Sequence, residues 1–302
     1  MKPFATYNNL KTFVLLAGLT ALVAGAGRML GGPNGLIIGL GLAFVMNFVA
    51  YWFSDKIALA MSGAKEVSPQ EAPDLHAMVG DLARRANLPM PRVYVIPQAA
   101  PNAFATGRDP KHSAVAVTQG IVQMLNRDEL EGVIAHELAH IKHRDILISS
   151  VAAMMAGALT QLAHMFQWGL IFGGFGGRDD EDNGAAGLVG GLLLMIVAPI
   201  AAMMIQMAIS RSREYEADRG GAEICGRPAS LANALLKLEA GAQRIPMHAD
   251  PATAHMYIVS PLSGQALAGL FSTHPATAER VARLEALSRQ PEFAPSALTT
   301  WR

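Results

Sequence analysis

His136 and His140 stand four residues apart in the run His136-Glu137-Leu138-Ala139-His140. On a helix over Asn126–Asp145 this spacing brings both imidazoles onto one face, where two neutral ring nitrogens can bind one Zn²⁺. Glu137 directly follows the first of them, so its carboxylate lies beside the metal and can take a proton from a zinc-bound water. The chemistry on offer is hydrolysis.

A catalytic zinc takes three protein ligands and leaves one position open, so a third ligand must come from elsewhere. The long metzincin pattern is excluded, because His143 and Ile146 stand where it requires Gly and His. Ser212-Arg213-Glu214-Tyr215-Glu216-Ala217-Asp218 is the better source. Glu214 and Asp218 are one helical turn apart and share a face, while Glu216 points away, which nominates Glu214 as ligand and Asp218 as the acceptor that orients an imidazole. By itself the same run also fits a solvated Arg/Glu surface. The single cysteine, Cys225, excludes an intrachain disulfide and reads as an inert thiol in a reducing compartment.

The element that carries the histidines has its own start signals. Asn126 followed by Glu129 makes a capping box, Asp128 and Glu129 suit the positive end of the helix dipole, and Leu130, Ile134, Leu138 and Ile141 form an apolar stripe. Upstream, Val67–Asn87 reads as a helix. Between them, Arg92–Ile96, Asn102–Thr106 and Ser113–Thr118 read as short strands, the last two joined by a hairpin at Gly107-Arg108-Asp109-Pro110-Lys111. A sheet edge beside a metal can hold an extended substrate as one more strand, and Asn102, Ala103 and Phe104 are the candidate substrate-binding residues on that edge. Arg244–Gly264, rich in Pro, His and Gly, is a candidate mobile cover over the cleft.

The chain of 302 residues has zero formal net charge and only 16% charged residues, with a positive mean hydropathy. That balance suits a membrane protein and calls for no nucleic-acid partner. Four stretches lack Asp, Glu, Lys and Arg: Thr12–Gly27, Met29–Ser54, Ile146–Gly177 and Asn183–Ser210. Each is weighed against the roughly 20 residues that span hydrocarbon. Lys2, Lys11, Lys56, Lys65, Lys142, Arg144, Arg211 and Arg213 flank them on one side, which predicts cytoplasmic termini. Arg178–Asp182 becomes an acidic turn on the far side.

The expected organisation is a transmembrane hairpin over 1–54, the first part of a protease domain over 55–145, a second transmembrane pair over 146–210 and the rest of the domain over 211–302. The fold class is an α+β membrane protein: four transmembrane helices and a mainly helical, gluzincin-like cytoplasmic domain carrying a small β-sheet. The metal helix runs straight into the third span, so substrates at or in the bilayer reach the site first. A transporter is poorly supported, because the spans hold only polar singles such as Asn47, Gln161, His164 and Gln206. A metal-stabilised scaffold or chaperone is the alternative to an enzyme, and Glu137 beside the ligands argues against it.

These motifs, with Asn102–Gly107, Pro251-Ala252-Thr253-Ala254-His255 and Ser272-Thr273-His274-Pro275, resemble the HtpX heat-shock metalloproteases, relatives of the CAAX prenyl proteases. The resemblance implies one zinc per chain and a stress-response endopeptidase of the bacterial inner membrane. Its implied partners are misfolded or damaged proteins, the bilayer and other membrane quality-control proteins. It also implies that His274 approaches the site and stabilises the tetrahedral oxyanion, although a His-Pro pair opening a helix is more often structural.

Overall fold

The computed structural model describes residues 2–155, 211–247, 249, 253–259 and 275–293. Helix α1, Lys2–Met61, contains the apolar N-terminal stretches. It folds back on itself: Asn47 Nδ2 donates to the Leu16 carbonyl at 3.2 Å and to Thr20 Oγ1 at 2.8 Å. Residues 16 and 47 would stand about 46 Å apart on a continuous helix. The reversal passes through Gly32, at φ +57°, and a Cβ on Gly27 would overlap the Gly35 carbonyl oxygen, so only glycine lets the two arms close there. The two N-terminal stretches thus pair as a helical hairpin. Its second arm, Gly32–Met61, is the one helix among the described residues long and apolar enough to cross a membrane, with mean hydropathy 2.0. Ile37, Ile38, Phe44 and Val45 lie open on its surface, an apolar face of the kind that lipid covers.

The globular part follows. Strand β1 (Lys65–Glu66) leads to α2 (Pro73–Arg85), β2 (Arg92–Ile96), β3 (Ala103–Gly107), β4 (Ser113–Thr118) and α3 (Gln119–Met124). Then come α4 (Arg127–His143) and α5 (Asp145–Met155), and later α6 (Arg211–Cys225), α7 (Pro228–Arg244) and α8 (Thr277–Ser288). Helix α2 starts later than its periodicity predicts: Val67 N–H instead bonds to the Val93 carbonyl, extending the β1 pairing, and Pro73 takes the first helical turn.

The sheet order is β1-β2-β4-β3, with β2 and β4 parallel and the outer pairs antiparallel, so β3 is an edge. β3 and β4 are buried at every position because both faces of the sheet are covered there. Val93, Val115, Val117, Ala103 and Ala105 face the core of α2, α4, α6, α7 and α8. Tyr94, Ile96, Phe104 and Ala116 face the end of α1, α5 and Tyr257. On the edge strand, Thr118 N–H donates to the Asn102 carbonyl, and ladder bonds then alternate, so the backbone groups of Ala103 and Ala105 point off the sheet.

The fourth span, the end of the third, the acidic turn 178–182, Gln161, His164, Gln206 and His274 lie outside the described residues.

Candidate active site

Helix α4 forms through its capping box: Asn126 Oδ1 accepts from Glu129 N–H, and the Glu129 carboxylate accepts from Asn126 N–H, both at 2.9 Å. Leu130, Val133, Ile134, Leu138 and Ile141 bury its apolar stripe. Helix α6 packs against it backbone to backbone, since a Cβ on Gly221 would lie 2.9 Å from His136 Cα. That close approach carries Glu214 to the histidines.

His136 Nε2 and His140 Nε2 are 3.2 Å apart. Glu214 Oε2 lies 3.8 Å from the first and Oε1 3.6 Å from the second. Three donors bound to one tetrahedral ion at about 2.05 Å would stand about 3.3 Å from one another. The other ring nitrogens are both engaged by carboxylates: His136 Nδ1 meets Asp218 Oδ1 at 3.0 Å and His140 Nδ1 meets Asp145 Oδ2 at 3.1 Å. With each Nδ1–H donated, two Nε2 lone pairs and a carboxylate face one small space, an arrangement that only a cation relieves. The residues fit a zinc-like divalent metal.

The titration of the site follows the same logic. Burial, with the neighbouring His140 and Arg280 charges, lowers His136 to about 4. Burial also works against charge on His140, but the hydrogen bond to Asp145 and the Glu214, Asp145 and Glu137 carboxylates outweigh it and push the imidazole up to about 9. A positive charge is wanted at this point, and in the metal-free protein a proton supplies it. Burial raises the Glu137 carboxyl to about 7, partly offset by the nearby His140 and by the Ala105 backbone N–H that it accepts. A group poised there can take a proton and give it back.

Two residues that spacing did not single out hold this arrangement. Arg280, from α8 and 2% exposed, grips Asp218 with two bonds, Nη2 to Oδ1 at 2.6 Å and Nε to Oδ2 at 2.9 Å. Burial opposes its charge, but Asp218 keeps it protonated, and the pair holds the Asp218 carboxyl well below the usual carboxylate range. Asp145 is the second. The expected helix to Asp145 ends instead at His143, with Arg144 in the left-handed region at φ 60°. Had the helix continued, five residues at about 100° each would have turned Asp145 away from His140; the break swings its carboxylate back. His143 stays half-buried beside Gly220, outside the cluster of His136, His140 and Glu214.

The cavity at this cluster is lined by Ala105, Glu137, Asp145, Ile146, Ser149, Arg213, and the run His255–Ile258. Of the candidate substrate residues, Ala103 lies on the outer edge of β3 and Asn102 directly precedes it. Phe104 is turned to the opposite face, packed on Tyr257 with ring centroids 5.2 Å apart, because alternation along a strand sends every second side chain there. His255, part of a motif to which the sequence assigned no role in the site, lines the cavity with its Nε2 at 3.1 Å from the Ser149 carbonyl.

Comparison with known proteins agrees with this geometry. The protein named "Protease HtpX homolog" from Desulfatibacillum aliphaticivorans is 56% identical over 289 residues, 96% of this chain and 93% of its own. Its counterpart in Syntrophotalea carbinolica is 58% identical over 279 residues, 92% of this chain and 98% of its own. The Thermococcus kodakarensis counterpart is 56% identical over 282 residues, 93% and 96% respectively. The fold is shared with the crystal structure of S. mikatae Ste24p, at a TM-score of 0.53 and 17% identity, covering 94% of this chain and 67% of that one. Residues 69–288 match Peptidase family M48. The chain is therefore a metalloprotease belonging to Peptidase family M48, of the HtpX type.

Proposed function

We propose that this protein is a membrane-tethered zinc endopeptidase that hydrolyses peptide bonds in misfolded or damaged membrane and membrane-proximal proteins. The observation that carries the reading is the pair of Nε2 atoms 3.2 Å apart with Glu214 beside both and Glu137 on the same helix. His136, His140 and Glu214 would hold the ion, whose Lewis acidity lowers the pKa of water and polarises a carbonyl. Zinc suits the two-imidazole, one-carboxylate donor set.

The chain's own residues do the rest. Glu137 takes a proton from the attacking water and returns it to the leaving amine. Ala105 N–H steadies the ionised carboxylate. Asp218 and Asp145 fix the tautomers of His136 and His140, leaving both Nε2 lone pairs for the metal. Asn102 and Ala103 offer an edge to an extended substrate. His274 is assigned, on resemblance, to donate to the oxyanion.

A four-span topology, with the hairpin over 1–54, a second pair over 146–210 and the two parts of the domain on the cytoplasmic side, is part of this proposal, as are quality-control partners in a cytoplasmic membrane. Its support is the exposed apolar face of Gly32–Met61 and the start of α5 two residues after the metal helix ends.

The test is direct. Protein purified in detergent with chelator and then given Zn²⁺ should cut unfolded casein only when metal-loaded. Glu137→Gln should keep the metal and lose about 10²–10⁴-fold in rate. If Glu137→Gln cleaves as fast as the native chain, Glu137 is not the base; if the metal-loaded native chain cuts no casein, the metal-stabilised scaffold becomes the better account.

A further inference from the structure

The free edge of β3 is already occupied. Ile258 N–H donates to the Ala103 carbonyl at 3.0 Å. Asn102 Nδ2 donates to the Val259 carbonyl at 2.8 Å, and its Oδ1 accepts from Val259 N–H at 3.3 Å. With Tyr257 against Phe104, residues 257, 258 and 259 lie opposite 104, 103 and 102, held by one backbone hydrogen bond and the Asn102 side chain rather than by a regular ladder. The Asn102 amide uses both its ends on the backbone of one residue. That is the manner in which strand addition holds a foreign chain, through main-chain groups and with little regard to side chains.

The run is fastened at both ends. Ile258 O accepts from Arg280 Nη1 at 3.2 Å, beside the ligand Glu214, and His255 is tied to Ser149 O at the start of α5. It also walls the catalytic cavity, whose space for the centres of water molecules is about 30 Å³. That is room for one or two waters. The wall stands where a peptide main chain paired to β3 would pass beside Glu137.

We propose that Tyr257–Val259 sits in the seat of the substrate strand as an internal pseudosubstrate, and that cleavage requires it to leave β3 so that a foreign segment takes over its bonds to Ala103 and Asn102. This rests on the proteolytic reading of the site. The substrate class follows from the bonds exchanged: an extended, unfolded segment competes for them, and a folded neighbour with its backbone already paired does not. Ile258 is 2% exposed within the main core, so the seat it vacates favours an aliphatic side chain.

Full-length Phe104→Cys/Tyr257→Cys protein, metal-loaded in detergent, locks the run to the edge when oxidised. The native thiol, Cys225, is buried and stays out of the exchange. The locked form is expected to cut unfolded casein at least about tenfold more slowly than the same preparation after reduction. Equal rates before and after reduction overturn the proposal. Amide exchange on the Glu137→Gln protein gives a second reading without the cysteines: a saturating casein-derived peptide should speed exchange at Ile258, and unchanged protection there also overturns it. A native chain that cuts no protein at all fails earlier and differently, because it removes the proteolytic reading itself.

Discussion

The two imidazoles of the metal cluster are supported in different ways. His136 leans on Asp218, which Arg280 grips at 2.6 and 2.9 Å from a position 2% exposed. His140 leans on Asp145, whose guanidinium neighbour Arg213 stands 3.9 Å away. The first support is built from α6 and α8, inside the globular core. The second is built from the first residue of α5 and the third of α6, where the chain joins the segments assigned to the membrane. One half of the site is therefore locked by the protease domain, and the other half is held at the border with the apolar helices, where the ion pair to Arg213 is longer.

The largest expected effect tests the locked half. Arg280→Met leaves the Asp218 charge buried and unpaired, and should cost about 3–5 kcal/mol of stability in the metal-free protein. Arg213→Met removes a buried guanidinium 3.9 Å from Asp145 and leaves that carboxylate paired with protonated His140, so it should cost clearly less than Arg280→Met. Thermal unfolding of both variants decides it, and equal losses would erase the asymmetry. Next in size is metal affinity. Asp218→Asn and Asp145→Asn each weaken the orientation and basicity of one imidazole and should lower zinc affinity about 10–100-fold, with Asp218→Asn at the upper end. Competition against a chromogenic chelator measures both, and a Co²⁺-loaded spectrum shows whether the ligand set survives. An Asp145→Asn affinity equal to the native value would reduce that residue to a helix cap.

What was legible in the sequence is what is local. The capping box of α4, the i, i+4 histidines and the shared face of Glu214 and Asp218 depend on residues within a turn or two of one another. The strands were legible as apolar runs, though the two-residue β1 was not, because its pairing is made by backbone groups that any side chain leaves available. Asp145 was hidden by the assumption that α4 continues; a single left-handed residue, Arg144, reverses which face it reaches. Arg280 carries no local signal, since an arginine on an amphipathic helix reads as solvated until α8 is packed against α6. The place of Ile258 on the β3 edge is of the same kind, fixed by tertiary contact alone. Asp218, the direct support of His136, was thus legible while its anchor Arg280 was not, and Asp145, the direct support of His140, was not legible at all.

The dependence on pH separates the two imidazoles most cleanly. In the metal-free protein His140 is pushed up to about 9 and His136 down to about 4, against about 6.5 for each in the unfolded chain. The raised group contributes stability that is complete below about pH 6.5 and is lost as pH rises toward 9. The lowered group contributes stability that is complete above about pH 6.5 and is lost as pH falls toward 4. Glu137, raised to about 7, holds a proton only in the folded chain between about pH 4.5 and 7 and so offsets the His136 slope there. On these three groups metal-free protein should be level in stability from about pH 4.5 to 6.5 and lose it as pH rises toward 9. Metal uptake at pH 8, where Glu137 at about 7 is already ionised, must expel the proton on His140 and none from His136. Calorimetry in two buffers of different ionisation enthalpy should then report close to one proton released, and affinity should fall about tenfold for each pH unit below 9. Release of no proton at pH 8 would mean that His140 is neutral before the metal arrives. The Asp145 support would then be as inert as its long contact to Arg213 is weak, and the comparison between the two halves would have to be drawn on Asp218 and Arg280 alone.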